Sequence, residues 1–510
     1  MSPPFQLFSL TSLFILFTLS LTYYILTSLQ SWWRLRAFKG PFTASFSYLW
    51  IILACQSGNM GGWFKWATAK YSTGTSSTVR IGPNDLLTAD PEVIRRMATA
   101  RSRYTRSNWY AMQRLDPDDN NMLSHLDTAA HDKVKAKAAA GYSGKEVPGL
   151  EGRVDDTIAQ LVNKIKTKYA MQSSSAAAAK KPFLDLAMTI QYFTLDSITK
   201  IGFGEEFGYL RTEGDVFGYI AMVTRLASII TLGAHVPYLA DIMSSRLVFT
   251  LLSPKVTDKE GVGRVFYATK EMVQERWAAE DKTRNDILGS WMRHGLSQRE
   301  CETEVLFQLV AGSDTTATAL RTTLLYIMTS PRVCNTLQAE IDRGILEGRI
   351  SSPITNAESL RLPYLQAVIY EGLRMCPPFN GLLLKVVPPE GDSIDGVFVP
   401  GGTRIGHSVD ALLRDTAVFG EDAELFRPER WVEADVVARA EMRRVTELVF
   451  GYGRWACAGK SIAFLEMDKV YVELLRAFDF QIVYPARPWT SVNKSLWIQQ
   501  DMWVRVTERH

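Results

Sequence analysis

The sequence contains little cysteine and no CxxC pair. Its five cysteines are odd in number and lie far apart, from Cys55 to Cys457. Neither a disulfide framework nor a zinc site of the usual spacing fits this arrangement. The cysteine usage therefore favours a reduced body that faces the cytosol.

An excess of charge of one sign is also missing. The 57 lysines and arginines nearly balance 54 aspartates and glutamates, which gives a formal net charge of +3, and there is no basic arm. Charge therefore gives no support to a nucleic-acid partner, and we expect no obligate oligomer. The hydrophobic fraction of 46% is that of an ordinary globular protein, and the chain is long enough to bury a large core.

No charged side chain occurs before Arg34. The run FQLFSLTSLFILFTLSLTYYILTSL covers about 25 residues, enough for a helix to cross a hydrocarbon core of roughly 30 Å. It is too long for a signal-peptide core and lacks a small-residue cleavage site. Trp32 and Trp33 suit the membrane interface, and basic residues follow, so the positive-inside rule predicts a single-pass anchor with the remaining chain in the cytosol. A buried core helix is the alternative.

Beyond this run the chain has no repeat of fixed period. Amphipathic segments dominate residues 151–346 and 463–478, and short β-rich pieces lie towards the ends, namely STVRIGPNDLLTAD, GVFVPGGTRI and QQDMWVRVTE. This pattern predicts a mainly α fold with a small β domain, preceded by one transmembrane helix. We expect an anchor over residues 1–30, a linker over residues 31–60 and one domain over residues 61–510.

One cysteine has an unusual setting. The stretch FGYGRWACAGK places Cys457 among Gly451, Gly453 and Gly459, which permit a tight loop close to a bulky ligand. A predicted helix starts at Lys460, and a helix N-terminus favours the thiolate over the thiol. A lone thiolate cannot build a zinc or iron–sulfur site, but it suffices as the single protein ligand of a haem iron. A buried structural cysteine is the alternative.

One motif contains opposite charges at helical spacing, and a second offers a further cation. YEGLRMCPP places Glu371 and Arg374 at i and i+3 on one helix face, and two prolines then end the helix. FRPERW offers Arg430 as a third member. A solvated surface pair is the alternative for the first motif.

The helix LVAGSDTTATALRTTLLYIM is apolar almost all round but carries Asp314 and Thr315 in its middle. Thr315 can bond back to a carbonyl and open the helix locally, and Gly312 would leave room for a ligand. The result would be a groove that relays protons. A core helix with internally satisfied polar groups is the alternative.

With the anchor first, then AGxDTT, ExxR, PERW and FxxGxxxCxG, the chain resembles a microsomal cytochrome P450 over nearly its whole length. The GRWxCxGK form is similar to a fungal branch of secondary metabolism that includes pisatin demethylase. The resemblance implies the cytochrome P450 fold, a haem b held by a cysteine thiolate and a location in the endoplasmic reticulum membrane. It also implies electrons from NADPH through NADPH–cytochrome P450 reductase.

The resemblance assigns roles where residues match. Cys457 would be the proximal iron ligand, with Phe450 shielding its sulfur. Asp314 and Thr315 would be the acid and alcohol that deliver protons to the distal oxygen. The glutamate and arginines of the ExxR and PERW motifs would lock the core without touching substrate. The other residues expected around the cofactor are Ala311, Gly451, Arg454 and Gly459.

The sequence departs from the family pattern two residues before the cysteine. The family has an arginine there that binds a haem propionate, whereas this chain has Trp455, preceded by Arg454. The resemblance suggests substitutes from the helix AAHDKVKAKAAAGY, which is similar to a family helix with Trp or His, three residues, then Arg. His131 and Lys135 share one face of it at i and i+4. Lys385, after the ExxR helix, matches another family position that is often basic and faces a propionate.

Two other lysines of the same helix lie on a different face. Lys133 and Lys137 are turned by roughly 200° from His131 and Lys135, at 100° per residue. With Arg454 they could form a basic patch for an acidic electron donor, joined by Lys460. A solvated lysine face is the alternative.

The resemblance places the segment PPFNGLLLKVV in the substrate pocket. An apolar pocket with few polar contacts suits a hydrophobic small molecule, and hydroxylation, epoxidation, demethylation and phenol coupling all stay open. A haem protein that only carries electrons would not need the acid and alcohol of the buried helix, and a membrane-anchored scaffold would not need the cysteine loop. The candidate substrate contacts are Phe379, Asn380, Leu382, Leu383, Trp497 and Tyr110.

Overall fold

The computed structural model describes residues 10–73, 76–171, 181–252, 255, 257–258 and 260–509, and the first nine residues of the predicted anchor lie outside these ranges. Helices make up most of the described chain. They are α1 Leu10–Arg34, α2 Leu49–Gln56, α3 Met60–Tyr71, α4 Pro91–Ala98, α5 Thr128–Tyr142, α6 Leu150–Lys168, α7 Leu186–Phe203, α8 Tyr209–Thr212, α9 Tyr219–His235, α10 Pro237–Ser244, α11 Arg246–Leu252, α12 Gly261–Ala278, α13 Ile287–Arg293, α14 Gln298–Thr329, α15 Pro331–Leu346, α16 Asn356–Ser359, α17 Pro363–Met375, α18 Val409–Leu412, α19 Thr416–Phe419, α20 Glu429–Glu433, α21 Val436–Thr446 and α22 Lys460–Ala477.

The strands are short and form small sheets. A five-stranded sheet has the order β1-β2-β9-β6-β3, a second sheet has the order β10-β13-β4 with β5 also on β13, and β7–β8 and β11–β12 are hairpins. The strands are β1 Thr78–Gly82, β2 Asp85–Thr88, β3 Thr105–Arg106, β4 Ala170–Met171, β5 Leu184–Asp185, β6 Lys385–Val386, β7 Asp392–Ile394, β8 Val397–Val399, β9 Arg404–His407, β10 Phe478–Ile482, β11 Thr490–Lys494, β12 Leu496–Gln500 and β13 Trp503–Glu508.

The longest helix, α14, has a well-defined start. Ser297 accepts from the backbone N–H of Glu300, and the Glu300 side chain accepts from the backbone of Ser297, which is a capping box. Its neighbour α17 begins with Pro363 and ends just before Pro377. These local signals fix both ends of the helix that carries the ExxR motif.

The main core lies where α14 meets α7, α17 and α22. Ile190, Leu320, Ile369 and Val470, one from each of these helices, are fully buried in a single cluster. Because α22 starts directly after the cysteine loop, this packing ties the loop to the central helix α14. The prediction of a mainly helical fold with small sheets is confirmed.

The N-terminal region combines an exposed helix with buried segments. The apolar helix Phe14–Arg34 is long and apolar enough to cross a membrane, and only 6% of its most apolar window is buried. In the predicted linker, Trp50, Ile51 and Cys55 of α2 are buried in a core cluster. The division into anchor, linker and domain stays a prediction.

Candidate functional site

The cysteine loop leads directly into α22. The backbone N–H of Cys457 donates to the carbonyl oxygen of Phe450 at 2.7 Å, which closes the loop. Gly451 and Gly453 have φ of 71° and 52°. A Cβ on Gly453 would lie 2.3 Å from the carbonyl oxygen of Ala98. Glycine at these positions lets the loop turn and pack closely against α4.

The thiol of Cys457 is exposed, yet the surrounding protein removes enough water to raise its pKa. The backbone N–H groups of Gly459 and Lys460, with the charges of Lys135 and Lys460, act in the opposite direction and stabilise the thiolate. The helix N-terminus therefore favours the thiolate as expected, but it does not outweigh desolvation.

Two residues predicted to bind the cofactor, Lys135 as a propionate partner and Arg454 more generally, bind the protein chain instead. The ammonium of Lys135 donates to the carbonyl oxygens of Arg454 and Ala456 at 2.7 and 2.6 Å. The guanidinium of Arg454 donates to the carbonyl oxygen of Ala100 and pairs with Asp132 at 3.1 Å. Lys135 thus clamps the cysteine loop to α5, and Arg454 holds the loop to the end of α4. These contacts do not support either residue as a propionate partner.

The predicted basic patch is partly neutralised by the protein's own groups. Lys137 donates to the carbonyl oxygen of Gly295 at 2.6 Å, and Lys460 pairs with Glu447 at 2.7 Å. Lys133 is exposed. The patch therefore carries less free positive charge than its four cations suggest.

Trp455 is surrounded by groups with positive or polar character. The guanidinium carbon of Arg106 lies 4.4 Å, and the ammonium of Lys385 lies 4.5 Å, from the centre of its ring. Arg106 and Lys385 are 7% and 2% exposed. The indole Nε1 is buried and has no hydrogen-bond partner among the described residues. We call Arg106, Lys385 and Trp455 the Trp455 cluster.

His131 packs against the same indole, with the ring centroids 4.6 Å apart. Its Nδ1 lies 2.9 Å from the Asp132 carboxylate. Burial, aided by the charge of Arg106, lowers the pKa of His131 to about 4. The histidine therefore supports the Trp455 ring as a neutral side chain at neutral pH.

The two charge motifs meet in one buried network. Arg374 donates two hydrogen bonds of 2.8 Å to the Glu371 carboxylate, Arg430 donates a third of 3.0 Å and the Trp431 indole a fourth of 2.9 Å. Glu371 and Arg374 are fully buried, and Arg430 is 3% exposed. We call these four residues the Glu371 cluster. The alternative of a solvated surface pair does not apply to it.

The polar residues of α14 point to different neighbours. Thr315 Oγ1 donates to the carbonyl oxygen of Ala311 at 2.8 Å. Asp314 Oδ1 accepts from Gln191 at 2.8 Å, while its Oδ2 is buried without a regular partner within the described chain. Burial raises the pKa of Asp314, although the charge of Arg321 and the hydrogen bond from Gln191 lower it in part. A carboxyl with one engaged and one open oxygen is suited to exchanging a proton.

Two details of the α14 expectation are wrong. The back-bond of Thr315 does not open the helix, because α14 continues without a break from Gln298 to Thr329. Gly312 does not make room for a ligand, because a Cβ there would lie 2.9 Å from the Ile198 side chain. The glycine instead allows close packing of α14 on α7.

Two predicted substrate contacts are bound to each other. The Trp497 indole donates to Asn380 Oδ1 at 3.0 Å and to the Pro377 carbonyl oxygen at 2.9 Å. The other end of the Asn380 amide donates to Asp410, and Asn493 also donates to its oxygen at 3.3 Å. The polar atoms of Asn380 are therefore occupied, which corrects the expectation of a free polar contact for substrate.

The remaining substrate candidates differ in position. Phe379 is half-buried and Leu382 fully buried, while Leu383 has a φ of 47°. The Tyr110 hydroxyl donates to the Leu383 carbonyl oxygen at 3.1 Å and accepts from the Lys385 ammonium. Tyr110 thus supports the Trp455 cluster, and its hydroxyl is not available to substrate. The Phe379 and leucine contacts stay predictions.

Sequence reasoning missed Arg106. It lies more than 300 residues before the cysteine, in no recognisable motif. Its place depends on the register of two short strands, because Arg106 of β3 is paired with Lys385 of β6, and the sequence carries no local signal of that pairing.

Comparison with known proteins agrees with this geometry. Residues 40–502 match the sequence profile of the family described as Cytochrome P450. The chain is a cytochrome P450. Among curated relatives of this cytochrome P450, the monooxygenase ABA1 of Pyricularia oryzae is 46% identical over 490 residues, 96% of this chain and 95% of that protein. The monooxygenase aba1 of Botryotinia fuckeliana is 42% identical over 475 residues, 93% and 92% of the two chains.

A more distant relative is pisatin demethylase of Fusarium vanettenii, 29% identical over 466 residues, 89% of this chain and 85% of that protein. The expected resemblance to that branch is confirmed. Because it is a cytochrome P450, the protein is a monooxygenase, and its family implies a cysteine-ligated haem.

The residues of this chain fit such a group. Among the described residues no three His, Cys, Asp or Glu side chains are grouped as metal ligands. Cys457 offers an exposed sulfur at a helix N-terminus. Two residues earlier, Trp455 presents an unpartnered indole N–H, a donor that matches the acidic side groups of haem.

Proposed function

We propose that this cytochrome P450 uses electrons from NADPH, received through NADPH–cytochrome P450 reductase, to oxygenate a hydrophobic small molecule of secondary metabolism. The observation that carries the proposal is that the chain has both an exposed cysteine, Cys457, on the cysteine loop and two residues suited to handling protons, Asp314 and Thr315, on α14. An electron carrier would need the first feature but not the second. The names of the relatives support the activity class.

Cys457 would hold the haem iron, with the Gly459 and Lys460 N–H groups stabilising the thiolate. Phe450, whose ring centroid lies 5.4 Å from that of Phe464, would shield the sulfur of Cys457. When bound, the haem supplies the oxygen-activating chemistry of the family. The residues of the chain position it and manage protons.

Protons would reach the distal side through α14. Asp314 is anchored at Oδ1 by Gln191, so Oδ2 is the oxygen that takes up or releases a proton. The proton of Thr315 Oγ1 is directed at the Ala311 carbonyl oxygen, which leaves the oxygen lone pairs free to accept. When one proton passes from Asp314 to an acceptor beside Thr315, Asp314 is left as a carboxylate. Reprotonation of this carboxylate by solvent restores the starting state.

The membrane anchor is part of the proposal. The exposed apolar helix Phe14–Arg34 would span the endoplasmic reticulum membrane once, with the catalytic body in the cytosol. The folded body also has exposed apolar side chains. The segment before α2 contacts α10 through Tyr48 and Tyr238, whose ring centroids lie 6.1 Å apart. The exposed apolar side chains include Phe42, Leu49, Leu53, Tyr238, Ile242 and Leu247.

Catalysis is tested with the full-length holoprotein, a cytochrome P450 reductase and NADPH. NADPH consumption should rise when an oxidisable member of a panel of hydrophobic metabolites is added. Thr315→Ala should keep NADPH consumption but divert it to hydrogen peroxide, with product per NADPH falling about tenfold or more. Thr329→Ala is the matched control, because Thr329 makes the same 2.8 Å back-bond near the end of α14.

Equal coupling in Thr315→Ala and the wild type would contradict the proton role of this residue. A holoprotein that accepts no electrons from the reductase would contradict the proposed function itself.

A further inference from the structure

The two cations of the Trp455 cluster are forced together by strand pairing. Arg106 of β3 lies directly opposite Lys385 of β6 in an antiparallel pair. Side chains of opposite residues in such a pair point to the same face, and like charges there repel each other. A negatively charged group beside the two cations is needed to make this arrangement favourable.

The described part of the chain does not supply that negative charge at contact distance. Neither Arg106 nor Lys385 takes part in any of its ion pairs within 4.0 Å. Burial lowers the pKa of Arg106 to about 10 and that of Lys385 well below its usual value, and the two cations also act on each other. The cluster therefore has the features of a site that an anion completes.

Two buried donors in the cluster also have no partner. Arg106 Nε and Trp455 Nε1 are both buried and unbonded within the described residues. The remaining contacts of Arg106 fix its direction, since Nη1 donates to the carbonyl oxygens of Met122 and His125 at 2.7 and 3.1 Å. Since buried N–H groups are almost always satisfied, these two N–H groups mark where a ligand oxygen belongs.

We propose that Arg106, Lys385 and the Trp455 indole together bind the haem propionates and replace the arginine that the family carries at position 455. The inference rests on the proposed function, because it requires a haem held by Cys457, two residues from Trp455. It excludes Lys135 and Arg454 from this role, since their donors are bound to the chain. Tyr110, which bonds Lys385, positions the ammonium.

The binding of a carboxylate would also order the segment that follows β3. Because Arg106 donates to the carbonyl oxygens of Met122 and His125, a guanidinium fixed by a propionate would also fix these two carbonyl groups. Glu304 of α14 accepts from the backbone N–H of the same Met122. The carbonyl oxygen and the backbone N–H of Met122 would thus be held from two sides, by Arg106 with its bound carboxylate and by Glu304 of α14.

The test measures transfer of haem from the holoprotein to excess apomyoglobin, followed by absorbance. Arg106→Gln should release haem about tenfold faster or more, because it loses charge-assisted hydrogen bonds. Trp455→Phe, which keeps a ring but removes the N–H, should show a smaller increase of about threefold. Arg114→Gln is the control, because Arg114 likewise stacks on an aromatic ring, at 4.3 Å from Phe249, and donates to a backbone carbonyl.

The decisive arm uses the same proteins reconstituted with haem dimethyl ester, in which both propionates are masked. The wild type should now release the ester at least as fast as Arg106→Gln releases haem, and Arg106→Gln should add no further increase. An equal effect of Arg106→Gln on haem and on the ester would show a merely structural role and overturn the inference. So would unchanged haem release in both Arg106→Gln and Trp455→Phe. If the wild type took up no haem, the proposed function would fail first.

Discussion

The Glu371 cluster and the Trp455 cluster both bury two positive charges, and they differ in what balances them. In the first, a carboxylate accepts four hydrogen bonds from side chains of the cluster. In the second, two cations share an indole ring without a carboxylate at contact distance among the described residues. The first is complete within the chain and belongs to the fold, whereas the second needs a ligand and belongs to the site.

Two buried glutamates show the same contrast. Burial alone would raise the pKa of Glu371, but the hydrogen bonds and charges of Arg374 and Arg430 lower it overall. Burial raises the pKa of Glu304 to about 8, although Arg106 lies near enough to lower it in part. The charge of Arg106 is therefore not balanced by Glu304, which leaves it available to a ligand.

The largest effect is expected in the Glu371 cluster. Glu371→Ala leaves two buried guanidinium groups without their carboxylate, which should cost about 3–5 kcal/mol of folding free energy. The variant should give little folded holoprotein, as judged by thermal denaturation and haem content. Lys65→Ala, which breaks an exposed pair with Glu424, should cost less than about 1 kcal/mol. Comparable losses in the two variants would show that the Glu371 cluster is worth no more to the fold than an exposed surface pair.

A pH-dependent effect of intermediate size is expected from Glu304. Its folded pKa of about 8 lies above the unfolded value, so the folded state keeps a proton that the unfolded chain releases. Stability should therefore fall as pH rises, by about 1–3 kcal/mol between about pH 6 and about pH 8. Glu304→Gln should remove this component, whereas the exposed Glu347→Gln should not. If Glu304→Gln and the wild type had the same thermal midpoint at both pH values, the proposed proton uptake by Glu304 would be contradicted.

The smallest effect is expected from Lys385→Met, and its sign should be opposite to that of the matching change in the Glu371 cluster. In apoprotein prepared without haem, Lys385→Met should raise the free energy of unfolding by about 1 kcal/mol, and with it the thermal midpoint, because it removes an unpaired buried cation. Arg374→Met should lower it strongly, because it leaves Glu371 without its main partner. The same direction of change in both would show that Lys385 is balanced within the chain.

Sequence patterns revealed one cluster in full and the other only in part. The Glu371 cluster could be predicted because its members lie in short motifs with helical spacing or fixed neighbours. Lys385 and His131 of the site were found by family position, whereas Arg106 was not, because its place depends on the pairing of two-residue strands far apart in the chain. Pairing of this kind leaves no local periodicity to read.

The remaining differences also come from long-range packing. The sequence identifies Asn380 as polar and Gly312 as small, but it does not show that Trp497 and Asp410 use the amide or that Ile198 fills the space beside the glycine. For the same reason the direction of Arg454, towards Asp132, could not be derived from its place beside Trp455. The mainly helical fold with a small β part, in contrast, followed from amphipathic and β-rich patterns.

The carbon monoxide difference spectrum of the reduced, full-length protein tests the central claim most directly. The wild type should show the Soret band of a thiolate-ligated haem, Cys457→Ala should lose it, and Cys334→Ala should keep it, because Cys334 lies half-buried on α15, outside the cysteine loop. A thiolate-type band that survives in Cys457→Ala would contradict the account, as would a folded wild-type protein that binds no haem.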